Sequence, residues 1–381
     1  MILFLIIVLS VHALVNFYIF MRGWQALEGV PGIKPYYIAV FSVLFISYIL
    51  GRILMSAAPG ALSSVMMWIG SFWLAFMLYF FLLIVLLDLV RVFNHWFHFY
   101  PGFITLNYAK VKLITLVVSV LLISAVVLIG YLNALRPRVK KVEISIPKNA
   151  GKLKELRIAL VSDIHLGTIV GRNRLSYIVE RINEMKPDIV LLAGDVVDED
   201  IDPVIRLNLG EMLRALRSKY GTYAVPGNHE YIGGAERSIA YLEAHGVKVL
   251  RDATTHIDSS FLLVGRDDKD RRRVSGTGSR ADLGQLLYQE NLSQPVILLD
   301  HQPFHLEQAV EAGVDLQLSG HTHAGQIWPL NYITRGLFEV DHGYLQKGNS
   351  QFYVSNGAGT WGPPIRLGNS PEIVELIVKF R

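Results

Sequence analysis

Between Ala61 and Leu87 the chain runs for 27 residues without a charged side chain. At about 1.5 Å per residue, a helix of that length crosses the roughly 30 Å hydrocarbon core of a bilayer. This run ties the chain to a membrane before any other feature is read. Leu113 to Leu132 is a second charge-free run, of 20 residues. Met1 to Met21 is apolar apart from Ser10, His12 and Asn16, with no basic segment before it and no small-residue cleavage pattern after it. It is expected to be a retained helix rather than a removed signal. Tyr36 to Leu50 continues through Arg52 towards Ala58, where a long arginine can snorkel to the interface. Four such segments packed as a soluble core would leave little polar surface to solvate them. Residues 1–135 are therefore expected to form a transmembrane domain of four helices, making this a multi-pass protein of the cell membrane whose first partner is the lipid bilayer.

The overall composition, 52% hydrophobic and 18% charged, averages two regimes, because Asp, Glu, Lys and Arg crowd the region after Arg136. Residues 136–154 read as a juxtamembrane linker and 155–381 as one catalytic domain, long enough to bury its own core. The absence of cysteine excludes disulfides, CxxC redox chemistry, cysteine-ligated zinc and a cysteine nucleophile. The net charge of +4 does not imply nucleic acid: outside Arg271 to Arg273 and Arg136 to Lys141 the basic residues are scattered, with no interleaved aromatic track. An even number of crossings puts the amino terminus and the catalytic domain on one side. That side carries Arg52, Arg136, Arg138, Lys140 and Lys141; the other carries Arg22, Lys34, Arg91, Lys110 and Lys112. The counts tie, but the cluster after the last helix is densest and Lys148, Lys152 and Lys154 follow it, so the catalytic domain is expected in the cytoplasm.

After the linker, short apolar runs alternate with amphipathic ones. Leu156 to Ser162 reads as a buried strand, and Asp163-Ile164-His165 follows it. In an extended segment residues i and i+2 face the same way, so both side chains can enter one site. An amphipathic helix at 173–185 leads to a strand, Asp188 to Ala193, that ends in Gly194-Asp195. A helical stretch from Pro203 to Lys219 precedes the strand Gly221 to Val225, which ends in Pro226-Gly227-Asn228-His229-Glu230. Further strands are expected at Phe261 to Gly265, at Pro295 to Asp300 with His301 after it, and at Val314 to Ser319 with Gly320-His321-Thr322-His323 after it. The stretch Arg266 to Val274 reads as a charged surface loop. Any single polar residue at a strand end is ordinarily a cap or a turn. Five strand ends bearing Asp, Asn or His are another matter, because open α/β sheets build their sites at strand carboxyl ends. Carboxylate and imidazole together suit divalent cations.

These residues, Asp163-x-His165, Gly194-Asp195, Gly227-Asn228-His229-Glu230, His301 and Gly320-His321-x-His323, resemble the motifs of the calcineurin-like metallophosphoesterase family in order and spacing. The resemblance covers about residues 155–381. It includes a late segment, Ser355-Asn356-Gly357 through Arg366 to Pro371-Glu372, similar to that of the bacterial membrane-associated branch. What it implies is an α/β fold, a four-layer α/β/β/α sandwich, preceded here by the four transmembrane helices. It also implies two divalent metal ions. Asp163, His165 and His323 would hold one; Asn228, His301 and His321 the other; Asp195 would bridge them; and His229 would stand beside the substrate without ligating metal. Manganese is the first choice, with zinc or iron as alternatives, since magnesium would want more oxygen.

The activity expected is metal-dependent hydrolysis of a phosphodiester or pyrophosphate, by in-line attack of a hydroxide held between the cations. Asp195 and His229 are the expected catalytic residues, with His229 protonating the leaving oxygen or steadying the equatorial oxygens, and Asp198 or Glu230 orienting it. Glu199, Asp200 and Asp202, like Asp198 itself, read equally well as surface charge. A lipid-linked substrate is expected. Ile327, Trp328, Leu330, Tyr332, Ile333, Leu337, Phe338 and Trp361 could line an entrance for acyl chains, while Arg271 to Arg273 or Arg366 draws in a phosphate. The resemblance adds one candidate, because membrane-associated relatives include enzymes that split UDP-diacylglucosamine. A phosphomonoesterase or nucleotide phosphodiesterase merely localised to the membrane is the alternative. A non-catalytic metal-binding signalling protein is weaker, since a structural site needs no neighbour like His229, and a transporter finds no intramembrane acidic pair. Oligomeric state has no signal in the sequence.

Overall fold

The computed structural model describes residues 2–276 and 278–381; Met1, where the first helix was expected to begin, lies outside them. The chain divides into two compact units, Met1–Tyr131 with Gly362–Pro364, and Leu132–Trp361 with Ile365–Arg381.

The first unit is helical: α1 (Ile2–Ala26), α2 (Lys34–Ala57), α3 (Ala61–Phe97), the short α4 (Gly102–Leu106) and α5 (Tyr108–Ala134). Four of them, α1, α2, α3 and α5, are long and apolar enough to cross a membrane. Two of the polar exceptions noted in the first span, His12 and Asn16, are partnered, as polar groups in hydrocarbon need to be. Asn16 is buried, accepts from Trp73 Nε1 at 2.9 Å and donates to the carbonyl of His12 at 2.8 Å. Helix α3 outruns its charge-free stretch by ten residues, to Phe97, and in that extension Asp88 and Arg91 are paired at 2.7 Å.

The second unit holds two six-stranded sheets. The first runs β1-β12-β2-β3-β4-β5, with β1 (Arg138–Ile146), β2 (Glu155–Val161), β3 (Ile189–Ala193), β4 (Thr222–Val225), β5 (Val247–Val249) and β12 (Glu372–Phe380). The second runs β10-β11-β9-β8-β7-β6, with β6 (Ala253–Ile257), β7 (Phe261–Gly265), β8 (Val296–Leu299), β9 (Leu316–Ser319), β10 (Gly343–Lys347) and β11 (Ser350–Val354). Within them β2, β3, β4 and β5 are parallel, as are β7, β8, β9 and β11.

Strand periodicity explains the layering. Ile158, Leu160, Ile189 and Leu191 point inward and meet Leu263, Ile297, Leu299 and Leu316 of the other sheet in one core. Their alternates Ala159, Val161, Val190 and Leu192 face outward under α6 (Arg172–Met185), whose Leu175, Ile178 and Ile182 cover them. On the far side Leu262, Val264, Val296 and Leu298 lie beneath Leu283, Leu287 and Leu306 of short helices. Strands buried on both faces read as continuous apolar runs. The expected α/β/β/α sandwich is what they build.

Three expectations are corrected. Residues 136–154 are not only a linker, since Arg138–Ile146 pairs in parallel with Glu372–Phe380 as the edge of the first sheet; its mostly exposed residues hid it. The helix expected over 203–219 is two short ones, Asp202–Arg206 and Gly210–Leu213. Asn208, at φ 49°, takes the left-handed conformation and ends the first. The stretch Arg266 to Val274 is not simply a surface loop. Arg266, Asp267 and Asp268 are buried, with Arg266 paired to Asp300 and Asp267 to Arg251 and Arg271.

Candidate metal centre

The residues singled out at strand ends converge beyond the carboxyl ends of β2, β3, β4, β8 and β9. The local backbone shows why no regular structure continues there. Asp163, His165, Asp195, His321 and His323 all sit at positive φ, between 50° and 73°. Such conformations are costly for residues with a side chain, and they persist where surrounding structure enforces them. Cross-strand bonds do so here: the amide of Asp163 donates to Gly194 O, that of His165 to Asp195 O and that of Gly320 to His301 O, each at 3.0 Å. Glycine is required where the loops close on one another. A Cβ at Gly320 would stand 2.3 Å from Asp163 Oδ2, and one at Gly227 would stand 2.1 Å from Asp195 Oδ1.

The donor atoms form two neighbouring groups. In the first, His165 Nε2 and His323 Nε2 face each other at 3.0 Å, and Asp163 Oδ1 is 3.4 Å from His323 Nε2. In the second, His301 Nε2 is 3.3 Å from Asn228 Oδ1, which lies 2.8 Å from His321 Nδ1. Asp195 belongs to both, its Oδ2 being 3.1 Å from His301 Nε2 and 3.9 Å from His165 Nε2. Ligand atoms of Asp163, His165 and His323, and likewise of Asp195, His301 and His321, lie within 4.8 Å of one another. The donor set fits divalent cations. Two ring nitrogens 3.0 Å apart match two metal bonds of about 2.0–2.1 Å meeting at roughly a right angle. His301 is oriented for the role, because its Nδ1 donates to the carbonyl of Ala193 at 2.7 Å and turns Nε2 inward.

Electrostatics agree with the geometry. Burial opposes ionisation of Asp195, but His301 and His229 hold its carboxyl well below the usual carboxylate range. Burial raises Asp163. Burial and the neighbouring His301 push His321 down to about 3, so its ring stays neutral with a lone pair to offer. For His229 burial alone would lower the pKa, but the carboxylates of Asp195, Asp198 and Glu199 carry it up to about 9.

His229 borders the two groups. Its Nδ1 lies 3.0 Å from Asp198 Oδ1, its backbone amide donates to Asp195 Oδ1 at 2.9 Å, and its ring meets Trp361 edge-on at 5.7 Å. His229 also comes within ligand distance of His165 and Asp195. Asp198, read as surface charge as readily as a positioning group, is thus the carboxylate that holds His229, and it also stands 3.6 Å from His165 Nδ1. Glu230 does something else. It is buried and accepts the amides of Asp195, Val197 and Gly227, at 3.1, 2.8 and 2.8 Å, so it braces the two loops.

Arg366 overturns another expectation. It is fully buried and donates inward, to the carbonyls of His323, Gly357 and Gly359 at 3.0, 3.3 and 2.7 Å, rather than offering itself to a phosphate. Its signal in the sequence was the late Gly-rich segment, whose carbonyls it collects. Of the proposed entrance, Trp328, Tyr332, Ile333, Leu337 and Trp361 are exposed, whereas Ile327 is buried and Phe338 packs on Phe304 and His321.

A two-sheet sandwich that collects imidazoles and carboxylates at parallel strand ends belongs to the class of metallophosphoesterases. The profile of the calcineurin-like phosphoesterases matches residues 156–325. An uncharacterized metallophosphoesterase of Aquifex aeolicus is 36% identical, over 64% of this chain and 92% of that protein. One from Helicobacter pylori strain J99 is 38% identical over 65% of each chain, so the present chain spans about two thirds of that relative. The Bos taurus transmembrane protein with metallophosphoesterase domain is 36% identical, over 68% of this chain and 62% of its own length. This chain is a member of the calcineurin-like phosphoesterase family.

Proposed function

We propose that this protein is a membrane-anchored, metal-dependent hydrolase of phosphodiester or pyrophosphate bonds acting on a lipid-linked substrate. The observation that carries the reading is the position of Asp195, whose Oδ2 lies 3.1 Å from one donor group and 3.9 Å from the other. Asp163, His165 and His323 would hold one cation, Asn228, His301 and His321 the second, and Asp195 both. Manganese is the first choice and zinc or iron the alternatives, given the share of imidazole. When bound, the two cations supply the positive charge that lowers the pKa of water and offsets charge gathering on the phosphoryl group.

The chain's own residues supply the rest. His229, with Nδ1 held by Asp198 and its pKa raised, arrives protonated at neutral pH and gives a proton from Nε2 to the leaving oxygen. Asp198 keeps the ring's orientation and charge. Glu230 fixes the loops that carry Asp195 and Asn228. Water is the nucleophile, so no covalent intermediate forms on the protein.

The lipid part of the proposal is supported by the exposed apolar rim, Trp328, Tyr332, Ile333, Leu337 and Trp361, the last against His229. Such a rim beside a polar site suits an amphiphile whose phosphate reaches the metals. A sugar-nucleotide lipid such as UDP-diacylglucosamine is one candidate. A cytoplasmic catalytic unit is supported by the basic run Arg136 to Lys141, part of which, from Arg138 onward, belongs to β1.

The test is kcat/KM on matched soluble and acylated phosphodiesters in mixed micelles. The full chain should favour the acylated compound, and Trp328→Ala should erode that preference. Equal efficiency on both would leave a phosphoesterase of soluble compounds localised to the membrane.

A further inference from the structure

The helices of the first unit line a half-open cavity that the phosphoesterase reading does not use. Its volume is about 640 Å³, within the range of roughly 300–1,000 Å³ typical of ligand pockets. The body of the cavity is apolar and aromatic, with Phe41, Phe72, Trp73, Phe76 and Phe80 on its walls. One end is cationic. Arg22, Arg91 and Lys112 line it, and among the described residues no acidic side chain does. The helices bring them together: Arg22 lies in the last turns of α1, Arg91 in the last turns of α3, and Lys112 near the start of α5.

The two arginines are held in place. Asp88 accepts from Arg22 Nη2 at 2.6 Å and from Arg91 Nη1 at 2.7 Å, and the hydroxyl of Tyr18 donates to it at 2.5 Å. One carboxylate therefore orders two guanidiniums and neutralises only one of them. Lys112 pairs with Glu28, whose side chain is mostly exposed. Positive charge thus exceeds negative at this end of an otherwise apolar cavity.

We propose that the cavity binds one anionic phospholipid, with an acyl chain among α1, α2, α3 and α5 and the phosphate at Arg22, Arg91 and Lys112. In a bilayer an apolar groove by itself selects nothing, because lipid tails are as apolar as its walls. Selection comes from the charged end. Arginine forks match phosphate oxygens, and basic pockets between transmembrane helices recognise anionic head groups. The pre-ordering of Arg22 and Arg91 by Asp88 lowers the cost of gathering two cations around one phosphate. The inference stands apart from the metal centre and does not require the lipid to be the substrate.

Native mass spectrometry of the full chain, released from nanodiscs of phosphatidylglycerol or of phosphatidylcholine with the same acyl chains, tests it. One phosphatidylglycerol should remain bound under activation that strips phosphatidylcholine. Each neutralised cation should cut that preference about fivefold. A variant carrying Arg22→Gln, Asp88→Asn, Arg91→Gln and Lys112→Gln removes the cations and leaves unpaired only the mostly exposed Glu28, and should abolish it. Lys112→Gln alone, whose partner is exposed, gives the same reading at reduced amplitude should the fourfold variant fail to fold. Leu116→Trp, which fills the cavity, should displace the bound lipid. Equal retention of the two lipids by the wild type, a preference undiminished by Lys112→Gln, or a lipid retained by Leu116→Trp would each overturn the proposal.

Discussion

Arg366 Nη2 lies 3.0 Å from Nδ1 of His323 while Nη1 of the same guanidinium donates to the His323 carbonyl, also at 3.0 Å. A cation placed against a ring that is proposed to bind a cation is electrostatically unfavourable, so the role of Arg366 is architectural. It satisfies three buried carbonyls and fixes one imidazole. Both Arg366→Lys and Arg366→Met are expected to weaken binding of the metal proposed for Asp163, His165 and His323 by about 10- to 100-fold, as loss of an outer partner does. The other metal should be retained. Metal titration followed by calorimetry reads both sites, and normal affinity in Arg366→Lys would show that charge rather than the fork matters.

Asp195 and His229 should separate cleanly. Asp195→Asn is expected to lose both metals, whereas His229→Gln keeps them and loses about 10²- to 10⁴-fold in kcat. Elemental analysis of the purified variants decides between the roles. Two metals retained without Asp195, or lost without His229, would reverse them.

The Asp198 to His229 pair predicts a pH effect with a definite sign. Asp198 helps raise the pKa of His229, so Asp198→Asn must lower it. If His229 acts as the acid, the alkaline limb of kcat/KM moves to lower pH in that variant. An unmoved limb would remove His229 from proton transfer.

Metal-free protein offers a stability counterpart. The folded pKa of His229, about 9, exceeds its ordinary value of 6.5. Its contribution is therefore fully present below pH 6.5 and is lost as pH rises towards 9. Denaturation in detergent should show the wild type losing more stability over that window than His229→Gln, by on the order of 3 kcal/mol at most.

Gly320→Ala should be among the most damaging single-methyl changes in the chain. Its new Cβ would stand 2.3 Å from Asp163 Oδ2 and 2.5 Å from Ser162 Cβ, both held by backbone bonds. Overpacking of this kind costs about 1–3 kcal/mol, and here it also displaces Asp163, a proposed metal ligand. Thermal unfolding with and without added manganese measures the two effects separately.

The sequence alone determined whatever depends on neighbours along the chain. Charge-free runs marked four spans because helix length and bilayer thickness are local quantities. Apolar runs ending in Asp-x-His, Gly-Asp, Asn-His and His-x-His marked strand ends and their donors. Tertiary structure decided what depends on distant pairing. Arg138 to Ile146 read as a linker because an edge strand exposes polar residues, and it became a strand through β12, more than two hundred residues away. Arg366 read as a side chain free to draw in a phosphate because arginine is rarely buried unless paired; the carbonyls of His323, Gly357 and Gly359 that bury it are assembled only by the fold. Asp198 could not be told from Glu199, Asp200 and Asp202 by composition. Its selection follows from the turn at Asp195, which carries Asp198 to within 3.0 Å of a histidine supplied by the next strand's end.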